Sequence, residues 1–285
     1  MANTISSRTY RDKYRAATLE RVLRGAMVAQ AITQVDRSNN MRIQNPYSTT
    51  PTVTVQALTG TYSTADFTTT DDTLTITDEF IVAEHIMDFQ DSLSNFDLFT
   101  DRLEQQGFAV AKKMDEFVLN NLCEDGTGTY TTPNGGFATA NNVNEIFANI
   151  VSKLSGYAEG YAGNMFVVLE NTDMVGIIQA GATNGFNNSD AVLNNGRVTN
   201  WMGVDVYVVR SGTYTDATVG TKTWTNSGHR VAGVKNVATM AMPGGIKTEE
   251  KGVSGKTGME VVTYGYIGFK LWATKTDLII DITLS

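Results

Sequence analysis

The side chains in this sequence that could catalyse a reaction are few and lie far apart. The 285 residues include two histidines, His85 and His229, and one cysteine, Cys123. Isolated histidines in ordinary surroundings are most often structural or exposed. Glu124 and Asp125 follow the cysteine directly, and their negative charges disfavour the reactive thiolate. A single cysteine cannot form an internal disulfide, and the histidines and the cysteine do not have the spacing of zinc ligands. We therefore predict no active site and no bound cofactor or metal.

Residues 252–257 end like a phosphate-binding loop. They read Gly-Val-Ser-Gly-Lys-Thr, but the motif also requires a glycine five positions before Gly255, where this chain has Glu250. The motif must also open a helix, whereas the residues from Met259 onward alternate as a strand does. We therefore predict a turn with a solvated lysine at this position.

The charges are sparse and unevenly distributed. Charged residues make up 18% of the chain, against about 25% in an average soluble protein. A surface poor in charge docks against other proteins with little desolvation cost. Residues 1–42 hold eight basic and three acidic side chains, while the rest of the chain holds 14 basic and 27 acidic ones. This predicts that a basic segment contacts nucleic acid, an acidic partner or an acidic neighbour, on a body too acidic to bind nucleic acid generally.

No membrane association is predicted. No apolar run approaches the ~20 residues that a transmembrane helix needs. The N-terminus carries charges with no apolar core after them, so it does not read as a secretory signal. The single cysteine fits a reducing cytoplasm.

A threonine-rich stretch at residues 49–77 predicts a long β-hairpin. Val53 and Val55 alternate with threonines in its first half, and Leu74 and Ile76 alternate with threonines in its second half. The turn is predicted from residue 59 to the acidic pair at 71–72, which lacks the spaced oxygen ligands of a calcium loop. An isolated hairpin is marginally stable in water, so this one must lie on the rest of the chain or on a neighbouring copy.

Two helices are predicted on either side of this hairpin. Residues 10–35 carry an apolar stripe at spacings of three and four, consisting of Leu19, Val22, Leu23, Met27, Ala31 and Ile32. A second, basic stripe consists of Arg8, Arg11 and Arg15. A much longer helix is predicted from residue 94 or 95 to Leu122; at about 28 residues it would span on the order of 40 Å and act as a strut.

The second half of the chain predicts a mixed α/β unit followed by terminal strands. A helix from Asn142 to Leu154 precedes a buried strand at 165–169 and a short helix at 172–179. The further predictions are a strand at 201–209, a loop at 211–227, a strand within 231–242, and terminal strands beginning near Val261 and Leu278.

In this order, the predicted elements resemble the major capsid protein of tailed bacteriophages, which has the Hong Kong 97-type fold. The likeness covers the whole chain. The segments that carry it resemble the family's spine helix (95–122, with Phe-Ala-Val-Ala-Lys-Lys-Met-Asp at 108–115), its extended E-loop (46–77), the strand and helix of its axial domain (166–169 and 172–179), and the strand after the axial loops (Trp-Met-Gly-Val-Asp-Val-Tyr-Val at 201–208).

The resemblance implies an α+β fold whose arm and hairpin reach neighbouring subunits. Its parts would be a basic helical N-terminal arm (1–43), an extended β-hairpin or E-loop with its return (44–90), a peripheral domain with the spine helix and terminal strands (91–142 and 246–285), and an axial domain (143–245). We expect the hairpin's inter-subunit contacts at Tyr47, Val53, Val55, Phe67, Leu74 and Ile76. We expect the arm to contact scaffold or a neighbour through Arg8, Arg11 and Arg15.

The resemblance also implies a function and partners. The chain would be a non-catalytic subunit of the virion shell, assembled in the host cytoplasm as hexamers and pentamers that enclose double-stranded DNA without reading its sequence. The hairpin begins near residue 44, which leaves no room for a long cleaved scaffold region. A separate scaffold protein is therefore expected, with a portal and, in some members, decoration proteins. The hairpin contains no lysine, so no isopeptide crosslink is expected.

Three other functions remain in competition. An encapsulin-type nanocompartment shell shares the fold, and spontaneous assembly around a cargo enzyme would favour it. A secreted or surface β-rich binding protein, such as a phage tail or decoration component, would have a similar composition, but the long predicted helix argues against it. An enzyme would need an active site that the sequence does not offer.

Overall fold

The computed structural model describes residues 27–38, 40–48, 68–86, 98–157, 164–183, 200–252 and 259–285, and the single positions 55, 58 and 60. Its helices are α1 (Ala29–Ile32), α2 (Leu98–Asp125), α3 (Ala140–Leu154) and α4 (Met174–Thr183). Its strands are β1 (Gln34–Asp36), β2 (Arg42–Ser48), β3 (Thr69–Thr75), β4 (Asp78–Ile86), β5 (Gly128–Thr131), β6 (Met165–Glu170), β7 (Asn200–Trp201), β8 (Val204–Val209), β9 (Asp216–Val219), β10 (Lys222–Thr225), β11 (His229–Val234), β12 (Ala238–Ala241), β13 (Lys247–Gly252), β14 (Met259–Leu271) and β15 (Ile279–Thr283).

The long helix α2 is the central support of the fold. It is 28 residues long, which confirms the predicted strut with a shift of three residues at each end. Its apolar stripe is buried, with Leu103, Val110 and Met114 no more than 2% exposed. The opposite face keeps Lys112 and Lys113 in solvent, as expected of a helix that packs along one side.

A six-stranded sheet forms the larger β layer, in the order β5-β15-β11-β6-β8-β7. Strand β6 lies inside it, and every residue of β6 is buried. Helix α3 packs its apolar face against this layer and α4, which confirms the predicted α/β unit. β15 also belongs here, pairing with β11 and β5. Its residues Ile280 and Ile282 are buried in the same core.

A five-stranded sheet lies against the other part of α2. Its path is β1-β12-β14-β13, and β4 pairs with β14 along the opposite edge of that strand. Polar side chains connect it to the helix. The Thr263 hydroxyl donates to Gln106 Oε1 at 2.8 Å, and Gln106 Nε2 donates to Glu84 Oε2 at 3.1 Å. Arg102 completes this cluster with a 2.8 Å ion pair to Glu84.

Three local predictions are corrected. The predicted loop at 211–227 contains the hairpin β9–β10, which buries Trp224 edge-on to Phe117 with ring centroids 6.0 Å apart. The single strand predicted within 231–242 is two strands in two sheets, because Asn236 adopts a left-handed φ of 62° between them. The helix predicted over 10–35 does not continue to its end, because Gln34–Asp36 is strand β1; residues 10–26 lie outside the described residues.

The phosphate-loop-like residues connect two strands. Gly252 at the end of β13 pairs with Met259 at the start of β14 in an antiparallel ladder. The residues after the Gly-Lys-Thr sequence therefore form a strand, which confirms that this motif does not open a helix.

Candidate functional site

Strand β3 of the threonine-rich stretch pairs with β2, which directly precedes that stretch, in a two-stranded ribbon separate from both large sheets. The two strands pair antiparallel over seven positions, from Arg42 opposite Thr75 to Ser48 opposite Thr69. The described partner of β3 is thus β2, which lies earlier in the chain than the predicted strand at 52–57; of that predicted strand, all but Val55 lies outside the described residues. The acidic pair at 71–72, predicted as a turn, lies inside β3.

Apolar contacts fix the base of this ribbon to its own chain. Leu74 and Ile76 are 1% and 7% exposed, and they pack in a small cluster with Ala241 and Trp272. Ile43 of β2 lies against the same cluster. The expectation that Leu74 and Ile76 contact a neighbouring subunit is corrected, because the chain's own residues already cover both side chains.

A buried carboxylate reinforces the base. Asp72 is 8% exposed, and its Oδ2 accepts the backbone N–H of Ala273 at 2.7 Å. The Lys270 ammonium lies 3.2 Å from the other carboxylate oxygen. These partners explain why Asp72 lies in a strand despite its turn preference: a carboxylate buried with a cation and an N–H donor stabilises the extended pairing.

The outer part of the region offers apolar side chains to solvent. Val55 and Leu58 are 94% and 106% exposed, while Tyr47 on β2 is partly buried. The other expected contact residues, Val53 and Phe67, lie outside the described residues. Apolar side chains this exposed mark candidate surfaces for a partner.

A second candidate surface lies where the N-terminal segment joins the body. The Asp115 carboxylate of α2 accepts the backbone N–H groups of Val28 at 3.1 Å and of Ala29 at 2.8 Å. These two N–H groups lie at the start of α1, where a helix has no carbonyl partners of its own. Arg8, Arg11 and Arg15 of the predicted basic stripe lie outside the described residues.

Asp115 should make subunit stability depend on pH. Burial raises the pKa of this carboxyl from 3.8 to about 6, although its two N–H bonds act in the opposite direction. Between pH 6 and pH 4 the folded chain thus holds a proton that the unfolded chain lacks, so this group favours folding more as the pH falls. Relative to Asp115→Asn, the wild-type chain should gain about 2 kcal/mol between pH 7 and pH 4.5, measured by denaturant unfolding at both pH values. A difference between the two chains that is independent of pH would contradict this assignment.

A buried ionic cluster ties the six-stranded sheet together. Arg230 of β11 donates from Nε to Asp173 Oδ2 at 2.5 Å and from a terminal nitrogen to Glu170 Oε2 at 3.1 Å. The other oxygen of Glu170 accepts the backbone N–H groups of Gly212 and Thr213 at 2.9 and 3.1 Å. All three charged residues are 5–7% exposed. Every carboxylate oxygen of Glu170 and Asp173 accepts a hydrogen bond. The cluster therefore fixes strand β11, the turn that follows β6 and the loop that follows β8 relative to one another.

The two histidines and the cysteine lie in two separate surroundings. His229 Nδ1 lies 2.9 Å from Asp281, and Cys123 also lies beside that carboxylate. Burial and then the charge of Asp281 raise the pKa of the Cys123 thiol well above its usual value, so the thiol stays protonated. His85 lies in β4, away from both, and its Nε2 is buried without a hydrogen-bond partner among the described residues.

Sequence analysis missed Asp72, Asp115 and the cluster around Arg230. Among them only Glu170 has a local signal, since it ends the apolar strand β6, whereas Asp115 lies beside Lys113 and Glu116 and Asp72 lies among threonines. In the part of the chain that the structure describes, no three His, Cys, Asp or Glu side chains are grouped to hold a metal ion. None of the described helices has the length and hydropathy needed to span a membrane.

No protein-family model matches the chain, and no curated protein matches it. Solved structures do match it. The capsid of Cyanophage P-SCSP1u gives a TM-score of 0.71 at 14% identity, covering 91% of this chain and 88% of that chain. The mature capsid of bacteriophage PhiM1 gives a TM-score of 0.66 at 9% identity, covering 91% of this chain and 87% of that chain. A virus-like particle from Pyrococcus furiosus gives a TM-score of 0.62 at 8% identity, covering 95% of this chain and 98% of that chain. The chain therefore has the fold of these shells, as its order of elements predicted.

Proposed function

We propose that this chain is the major capsid protein of a tailed bacteriophage, a non-catalytic subunit that assembles into the icosahedral shell of the virion. The observation that carries the proposal is the likeness to phage capsids over 91% of the chain. A likeness of that extent includes both sheets and the long helix, so it is not confined to one common motif.

The ribbon supports a role in assembly. Seven paired residues make β2–β3 about 24 Å long at ~3.4 Å per residue. The base is fixed to the chain's own body through Leu74, Ile76 and Asp72, while Val55 and Leu58 remain exposed beyond it. A fixed base with an apolar outer part directs the ribbon toward another molecule, and a neighbouring copy of the same chain supplies that molecule at every position of a shell.

The remaining partners follow from this role. Many copies would form hexamers and pentamers, held by obligate contacts that bury on the order of 2,000 Å² or more per subunit. The shell would enclose double-stranded DNA without sequence-specific binding, since the body of the chain is acidic. A separate scaffold protein and a portal would act during assembly in the host cytoplasm, and decoration proteins would bind the finished shell.

The basic stripe of the N-terminal arm should serve assembly. Replacing Arg8, Arg11 and Arg15 with alanine removes three positive charges from a segment whose basic composition favours acidic partners. We expect particle yield to fall by about tenfold, because each exposed charge contributes only modestly but every subunit carries all three. Sedimentation of lysates from cells that also express the scaffold measures the yield, with Lys251→Ala as a control for loss of charge elsewhere. Equal yields from the triple variant and the wild type would reject the role of the stripe.

A nanocompartment shell is the second candidate, favoured by the likeness to the Pyrococcus furiosus virus-like particle. Expression of the chain alone, followed by electron microscopy of the purified material, separates the two. Closed particles that need a scaffold protein support a phage capsid, and particles that form alone around a co-purifying enzyme support a nanocompartment. A monodisperse monomer with and without scaffold would contradict both.

A further inference from the structure

An open groove runs between α2 and the end of β8. It has a volume of about 470 Å³. One wall consists of α2 positions at spacings of three and four, namely Gln105, Phe108, Ala109 and Lys112, and the facing wall includes Val208 and Arg210. Phe108 is 54% exposed and Val208 is 41% exposed, although both side chains are apolar. The groove therefore exposes apolar side chains close to the basic Lys112 and Arg210, and Asp115 is also in its lining.

The N-terminal segment joins the body at this groove. Val28 lines the groove, and Met27 beside it is 5% exposed. The Asp115 carboxylate accepts the N–H groups of Val28 and Ala29 at the start of α1. Helix α1 therefore begins beside the groove, and the preceding residues join the body at this point.

The residues just before this junction have a matching pattern. Leu19, Val22, Leu23 and Ala26 fall at i, i+3, i+4 and i+7, which places them on one face of a helix. The α2 residues that line the groove have the same spacing, and either stripe is about 10 Å long at 1.5 Å per residue. On such a helix Arg21 and Arg24 would point away from the stripe, whereas Glu20 at its flank would meet Lys112 or Arg210.

We propose that residues 19–26 dock in the groove between α2 and β8 of the same chain, through the stripe that Leu19, Val22 and Leu23 form. Docking covers Phe108 and Val208, and it fixes the point from which the basic residues 8–15 extend. The inference is independent of the proposed function, because it concerns one subunit whether or not that subunit joins a shell.

A disulfide experiment tests the position and the origin of the docked segment. In the full-length chain carrying Leu23→Cys and Phe108→Cys, mild oxidation should form a disulfide within one chain, seen as a faster band on a non-reducing gel. Cys123 remains in place because its thiol is buried. The control pair joins Leu23→Cys to Val175→Cys on α4, which is as exposed as Phe108 but does not line the groove. A disulfide between two chains would show that a neighbouring copy's segment occupies the groove. If no disulfide forms, the segment does not dock there. Either result overturns the proposal.

Proteolysis provides a second readout that needs no crosslink. Docking shields the bonds after Arg21 and Arg24 from trypsin, and Phe108→Asp should speed their cleavage by about tenfold, since a charge replaces the largest apolar contact in the groove. Phe108 is half exposed, so the unfolding temperature of this variant should stay near the wild-type value. Val175→Asp is the matched control and should leave the cleavage rate unchanged. Equal cleavage rates in all three chains would overturn the proposal.

Discussion

Replacing Val55 and Leu58 together with aspartate should nearly abolish closed particles while leaving the isolated subunit as stable as the wild type. Both side chains are almost fully exposed in the single chain, so folding loses nothing when they change. In the shell we expect a neighbouring copy to cover them. Burial of two such side chains is worth about 3–6 kcal/mol per contact, which corresponds to an association constant at least about a hundredfold higher. Charged replacements forfeit that gain and add a desolvation cost.

Two measurements on the same proteins separate assembly from folding. Electron microscopy and sedimentation give the particle yield, and thermal unfolding of the free subunit gives its stability. Leu74→Asp is the matched control, because Leu74 lies on the same ribbon but is 1% exposed against the chain's own body. That variant should lower the unfolding temperature itself. Normal particle yield from the Val55 and Leu58 variant would show that the outer ribbon contacts no neighbour.

The elements with strong local patterns were predictable from the sequence. The 28-residue helix α2 and the apolar face of α3 follow from residues three and four positions apart, and the terminal strands follow from alternation. Strand β2 was not predicted, because Arg42–Ser48 alternates less plainly than Thr52, Thr54 and their neighbours do. Strand β2 contains Asn45 and Pro46, which alone disfavour a strand. Its pairing with β3 overrides that local preference.

The anchoring carboxylates could not be predicted because their partners are distant in the chain. Asp115 binds N–H groups 86 and 87 positions away, and Asp72 binds an N–H group 201 positions away. Local sequence reports only that each is acidic, which is why the pair at 71–72 was predicted as a turn. Tertiary partners decide whether such a carboxylate is buried, and no periodicity encodes them.

Replacing Arg230 with methionine should cost the subunit about 3–5 kcal/mol of stability, the largest effect expected from a change of a single side chain here. Methionine fills similar space but leaves Glu170 and Asp173, each at most 7% exposed, without the cation that compensates their buried charges. Arg230 also lies over the Tyr214 ring, 5.2 Å from its centroid, and that contact is lost too. For a domain whose total stability is typically about 5–15 kcal/mol, this loss should be visible as reduced soluble yield.

Denaturant unfolding of the free subunit measures the loss, and two further variants show whether the unpaired charges cause it. Lys113→Ala removes a cation from an exposed ion pair with Glu116, at 2.8 Å, and should cost less than about 1 kcal/mol. Adding Glu170→Gln and Asp173→Asn to Arg230→Met neutralises both stranded carboxylates while keeping an oxygen for the N–H groups of Gly212 and Thr213. That triple variant should regain about half of the loss, because removal of a whole buried ionic group is much less harmful than removal of one partner.

If Arg230→Met costs no more than Lys113→Ala, the cluster does not stabilise the six-stranded sheet. If the triple variant is as unstable as Arg230→Met, the loss comes from packing rather than from uncompensated charge.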